Sequence, residues 1–182
     1  SVGSINRIKN VANIINLYHK KRYKLIVVSS AMSGVTNDLI RKSKEISENF
    51  LPSEYDVLVS SGEQVACSLI AARLSHIGLK SRSWLSWQIP IITEGSHKNA
   101  KILSIYKKKI LDYLKKGGIP IVTGFQGIDT GERIKTIGRG GSDASAIMLA
   151  KFFKAERCII YTDVEGVYTT DPNKLKKARK IK

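Results

Sequence analysis

The stretch Lys24-Leu25-Ile26-Val27-Val28-Ser29-Ser30-Ala31-Met32-Ser33-Gly34-Val35-Thr36 changes character at Ser29. Ahead of that point stands a short, continuous apolar run, Leu25 to Val28, of the kind a buried strand requires. Behind it come small residues, and a helix is predicted to begin near Thr36. A buried strand that turns through small residues into a helix is the opening half of a parallel β-α unit. In an open sheet of that kind ligands bind beyond the carboxyl ends of the strands, so Ser29 to Thr36 is also a place to look for a site.

The alternation extends both ways. Ile5, Ile8, Val11, Ala12, Ile15 and Tyr18 recur at three- and four-residue steps and predict a helix over about 4 to 20. Beyond Thr36, a helix is expected from about Ser60 to Ile77, with Val65, Leu69, Ile70, Ala72 and Leu74 inward and Gly78 as its stop. The segment through Trp84, Trp87, Ile91 and Ile92 reads as strand, and Ile102 to Lys116 as helix. Ile119–Thr123 and Ile134–Ile137 read as strands, Ser142–Phe153 as helix, and Cys158–Tyr161 as a last strand. Strands alternating with helices imply one α/β domain, its mostly parallel sheet covered on both faces. Both ends stand in mid-pattern: no strand precedes the first helix, and the chain closes on a basic tail from Lys174 to Lys182. A fragment of a longer protein is the expectation.

Of 182 residues, 42% are apolar and 25% charged, which suits one globular domain and excludes disorder. Lys and Arg total 31 against 15 acidic residues, a net charge of +16. The lysines are scattered, as at Lys107, Lys108, Lys109, Lys115 and Lys116, with no interleaved aromatics. They read as a solvated surface that favours polyanions such as ATP, with a basic nucleic-acid binder as the alternative from another class. The longest uncharged stretch, Leu25 to Asn37, is shorter than the roughly 20 apolar residues of a membrane span, so neither a span nor a secretory signal is expected. Cys67 and Cys158 stand far apart and read as core fillers in a reduced, cytoplasmic protein. His19, His76 and His97 lack ligand spacing and read as surface or boundary residues, so no protein-held metal is expected.

The segment with the strongest chemical content is Gly138-Arg139-Gly140-Gly141-Ser142-Asp143, between a strand and a helix. A helix start exposes free N–H groups, glycines let a ligand approach them, and Arg139 adds a planar donor fork for carboxylate or phosphate. The purely structural alternative has Ser142 capping the helix and Asp143 offsetting its dipole, which leaves an Arg between glycines unexplained. Glu63 stays open between two roles. Ser60-Ser61-Gly62-Glu63 fits a capping box, whereas a carboxylate at a crevice edge accepts hydrogen bonds from a substrate ammonium. Two further loops, Gly124-Phe125-Gln126-Gly127 and Thr162-Asp163, share the small polar character expected at a crevice. No G-x-x-x-x-G-K-[ST] loop occurs, and Asp143 stands where G-x-G-x-x-G needs its last glycine.

Taken in order, Ser1-Val2-Gly3-Ser4 with Arg7-Ile8, Ser30 to Asn37, Ser61-Gly62-Glu63-Gln64, Ser83 to Gln88, Gly124 to Gly127, Gly138 to Asp143 and Thr162 to Pro172 resemble the aspartokinases, within the amino acid kinase superfamily. The resemblance implies the αβα sandwich of that fold, truncated here, and transfer of the ATP γ-phosphoryl group to the side-chain carboxylate of L-aspartate. The product is 4-phospho-L-aspartate, the first step toward lysine, diaminopimelate, threonine and methionine. By position, the resemblance gives Arg139 the substrate α-carboxylate and Glu63 its ammonium, with Ser30, Thr36, Gly140, Gly141 and Ser142 also at the substrate. Asp143 would organise a catalytic lysine. Thr162, Asp163, Gly166, Tyr168, Thr169, Thr170, Asp171 and Pro172 would hold the nucleotide, with Mg2+ as cofactor and a homo-oligomer as the assembly. A Lys-Phe-Gly-Gly-Thr segment is implied ahead of Ser1 and regulatory ACT domains beyond Lys182, so residues 1–182 alone are expected to be inactive. The sister reading, acetylglutamate kinase, fits less well because its acylated substrate has no ammonium for Glu63.

Overall fold

Strand β5 (Ile119–Thr123) is buried at every position and forms the middle of the fold. The computed structural model describes residues 2–138 and 140–162. In it β5 lies between β1 (Val27–Ser29) and β2 (Ser81–Trp84), parallel to both. Successive side chains of β1 and β5 point to opposite faces, and each face has its own core. Val27, Ile119 and Ile121 pack with α1 (Ile5–Lys20) and α3 (Pro52–His76). Val28 and Val122 pack with residues of α4 (Lys108–Lys115) and α5 (Gly141–Phe153). Helices on both faces of a parallel sheet make the expected αβα sandwich.

A second, four-stranded sheet carries the order β4-β3-β6-β7, with β3 (Ile91–Glu94), β4 (Lys101–Ile105), β6 (Gln126–Ile128) and β7 (Ile134–Thr136). Its β3–β6 pair is parallel, while β3–β4 and β6–β7 are antiparallel. Gln126-Gly127, expected in a loop, thus belongs to a strand that begins two residues after β5.

The expected helix from Ile102 to Lys116 is corrected to a strand followed by the shorter α4. Ile102 and Ile105, three apart and both buried, imitate a helical period. Their spacing comes from a bulge: Ile92 pairs with Ser104 and Thr93 with Ile102, so Leu103 is an extra residue that reverses the in–out alternation. The helix expected from Ser60 begins instead at Pro52, a residue suited to the first helical turn. Ser60 lies in mid-helix, its hydroxyl donating to the Val57 carbonyl at 2.9 Å, so the capping box is excluded. Ile70 and Leu74 face the core as expected, with Ala66, Cys67 and Ala71, but Val65 and Ala72 face outward. By length and composition α3 is apolar enough to cross a membrane; half of that window is buried in the protein, as in a core helix. Residues 158–161 form no strand, and Cys158 is exposed rather than a core filler. This segment lies beside α1, where the Tyr161 hydroxyl donates to that of Tyr18 at 3.2 Å. Helix α2 (Val35–Ile46) follows β1 as expected.

Candidate functional site

Ser29 and Thr123 end β1 and β5 in register, so the chain leaves both strands at the same carboxyl edge of the sheet, where ligands bind in open α/β sheets. Helix α3 closes on it at Gly62, where a Cβ would stand 2.9 Å from Ala31 Cβ and 3.2 Å from Val35 Cγ1. That close approach brings the next residue, Glu63, under the turn after β1. Its Oε1 accepts the Ala31 N–H at 3.1 Å. Glu63 is 3% exposed, and among the described residues its second oxygen, Oε2, has no partner. Burial raises the carboxyl from 4.5 to about 7, with the Ala31 hydrogen bond pulling the other way.

Among the described residues two more buried oxygens on neighbouring elements have no partner: the Thr123 hydroxyl and Gln126 Oε1. The Gln126 amide nitrogen is held by the Ser60 carbonyl, one turn before Glu63, at 3.0 Å. Buried polar groups in folded proteins are nearly always hydrogen-bonded, and a cluster of exceptions at the carboxyl edge of a sheet suits a ligand. Neither Thr123 nor Gln126 was singled out from the sequence. The signal lay in Gly124 to Gly127, but only folding shows which of its atoms are left without partners.

The start of α5 packs against the loop after β5. Gly140, with φ +68, is its N-cap and no side chain caps it. Ser142 is therefore inside the helix, which removes the capping alternative. Gly124 backs directly on Ser142, where a Cβ would lie 3.0 Å from Ser142 Oγ. Phe125, at φ +64, donates its N–H to Ser145 Oγ at 3.0 Å and accepts from Ile137 at 2.9 Å. These bonds join the loop after β5 to the helix that carries Ser142 and Asp143. The start of α2 repeats the arrangement, with Gly34 as N-cap and no side-chain cap. Both helix starts thus offer backbone N–H groups and partial positive charge at the same edge of the sheet.

Of the residues expected at the substrate, Thr36 is the second residue of α2 and half-buried, Ser30 and Gly140 are exposed, Glu63 and Gly141 are buried, and Ser142 is half-buried in the first turn of α5. Asp143 is exposed in the first turn of α5. Thr162 is exposed near the end of the described chain. Arg139, Asp163, Gly166, Tyr168, Thr169, Thr170, Asp171 and Pro172 lie outside the described residues.

These features define an α/β protein that gathers a buried carboxylate and two helix starts without side-chain caps at one edge of its parallel sheet. The model of the amino acid kinase family matches residues 1–182, and the chain belongs to that family. It is 46% identical over 185 residues to the aspartokinase of Rickettsia conorii, covering all of this chain and 46% of that protein. It is 49% identical over 183 residues to the aspartokinase of Geobacillus stearothermophilus, covering all of this chain and 45% of that one. Among solved structures, E. coli aspartokinase III in complex with aspartate and ADP superposes with a TM-score of 0.81 at 25% identity, over all of this chain and 51% of that one. The aspartate kinase of Synechocystis does so with a TM-score of 0.78 at 38% identity, over 98% of this chain and 29% of the other. The chain spans about half the length of the curated relatives it matches.

Proposed function

We propose that this chain is the larger part of an aspartokinase catalytic domain, and that the protein containing it phosphorylates the side-chain carboxylate of L-aspartate with ATP. The observation that carries the reading is the buried, half-satisfied carboxylate of Glu63. An aspartate ammonium at Oε2 would supply the missing hydrogen bonds, and its charge would keep Glu63 ionised. Arg139, between glycines, would take the α-carboxylate bidentately. Likeness to aspartokinases across the whole chain supports the same substrate.

The chemistry needs alignment and charge neutralisation rather than a covalent enzyme intermediate. An oxygen of the β-carboxylate bonds to the γ-phosphorus as the bond from phosphorus to the ADP oxygen breaks. Uncapped N–H groups at the starts of α2 and α5 would hold anionic groups in place. Asp143 would orient a lysine beside the transferring group, and Thr162 with the residues from Asp163 to Pro172 would hold the nucleotide. Mg2+ would arrive on the ATP phosphates, which supply oxygen ligands to it beside its waters.

The test is ADP release by the full-length protein with ATP and Mg2+, comparing L-aspartate with succinate, which keeps both carboxylates and lacks the ammonium. Aspartate should drive turnover and succinate should not. Equal rates with the two acids, or no dependence on either, would remove the proposal.

A further inference from the structure

Asp56 is the second buried carboxylate of α3, and the proposed chemistry does not use it. It is 0% exposed, and a buried carboxylate is tolerated only when its oxygens are satisfied. Oδ1 accepts the Thr136 hydroxyl at 2.6 Å and the Lys98 N–H at 3.2 Å. Oδ2 meets His97 Nδ1 at 2.7 Å and the same Lys98 N–H at 3.2 Å. All the partners come from two places, the turn at 95–100 between β3 and β4 and the end of β7.

That turn is held at further points. Ala100 donates its N–H to the Thr136 carbonyl at 2.9 Å, and the Lys135 ammonium donates to the Gly95 carbonyl at 2.9 Å. Lys98 sits at φ +66, a left-handed conformation unfavourable for a residue with a side chain. Its ammonium lies 4.2 Å from the centre of the Tyr55 ring. On its other side the turn abuts the glycine-rich segment. A Cβ on Gly138 would lie 3.1 Å from the Lys98 carbonyl oxygen and 3.3 Å from Asn99 Oδ1. Gly138 itself is at φ +81 and accepts the Gly141 N–H at 3.0 Å, closing the turn into α5.

We infer that Asp56, His97 and Thr136 are positioning residues: together they clamp the turn at 95–100 against Gly138 and so set the path by which the chain enters the substrate-binding start of α5. An apolar cluster would hold two elements together at least as strongly. A carboxylate with directed bonds to three residues specifies where the turn lies. The substrate part of this inference rests on the proposed function; the clamp itself does not.

The experiment uses the full-length protein with His97→Ala, His97→Asn, Thr136→Val and Thr136→Ser. Asn places an amide nitrogen where Nδ1 stood, and Ser keeps the hydroxyl. Hydrogen exchange without ligand reads the clamp. His97→Ala and Thr136→Val should speed exchange of the Gly141 N–H, which is bonded to Gly138, at least tenfold, with α1 within twofold of wild type. Steady-state kinetics read the consequence: aspartate KM should rise roughly five- to tenfold, ATP KM should stay within twofold, and the Asn and Ser variants should restore aspartate KM. Unchanged exchange at Gly141 overturns the clamp. Faster exchange with unaltered aspartate KM, or with aspartate and ATP KM rising together, overturns the positioning role. Should His97→Ala fail to fold, the Thr136 pair answers both questions. A wild-type protein inert toward aspartate would sink the proposed function, and exchange would then decide the clamp by itself.

Discussion

Helix α3 carries two buried carboxylates two turns apart, Asp56 and Glu63, and they differ in what surrounds them. Asp56 has bonds on both oxygens, all from distant parts of the chain. Glu63 accepts one bond from a distant part of the chain, the Ala31 N–H, and among the described residues its other oxygen has none. The same cost of burial is met inside the protein in the first case and is left partly unmet in the second. A carboxylate whose needs are filled by its own fold serves geometry, whereas one left half-filled beside a crevice is placed for a ligand.

The largest effect that would break this contrast is kinetic. In the full-length protein Glu63→Gln should cost about 2 to 5 kcal/mol in aspartate kcat/KM, roughly thirtyfold to several thousandfold, because a charged hydrogen bond to the ammonium is lost. ATP KM should stay within about twofold, and a variant with wild-type aspartate kinetics would place Glu63 with Asp56 as a purely internal group. Next comes Asp56→Asn, which turns amide hydrogens toward groups that already donate. Chemical denaturation should show a loss of about 3 kcal/mol, since buried donors lose their acceptor. No loss would mean that the clamp bonds contribute nothing net.

Glu63→Gln should move stability the other way. The folded carboxyl titrates at about 7 against an ordinary 4.5, so between those values the folded state holds a proton that the unfolded state has released. Stability therefore falls as pH rises through that window, and the penalty is complete above about 7. Removing the charge should add about 3 kcal/mol at pH 8 and little at pH 4, read by denaturation at both. A variant less stable than wild type at pH 8 would contradict this. The smallest expected effect separates two residues at the start of α5. Arg139→Lys keeps the charge and loses the fork, so aspartate KM should rise roughly tenfold, about 1.4 kcal/mol. Asp143→Asn should instead lower kcat with modest changes in either KM. Matching profiles for the two variants would dissolve the division between binding and chemistry.

Apolar runs and residue-scale periods were enough to read the parallel core, because burial on one or two faces writes itself locally: Ile119 to Thr123 and the amphipathic α1 lie where periodicity puts them, and β1 covers only the second half of the run from Leu25. The glycine-rich start of α5 was legible for a similar reason, since glycines at a strand-to-helix junction state a local backbone need. The β4 strand was not, because the bulge at Leu103 gave its two buried isoleucines a helical spacing that only pairing with β3 resolves. The start of α3 was missed because Ser60 and Glu63 match a cap locally, although the helix already runs from Pro52. Glu63 itself was visible as a carboxylate with two possible roles, and the tertiary structure chose between them by burying it against Ala31. Asp56, His97 and Thr136 lie far apart in the chain, so no local pattern joins them. Their meeting depends on α3 crossing the end of β7 and the β3–β4 turn, a matter of packing between elements rather than of any one element's sequence.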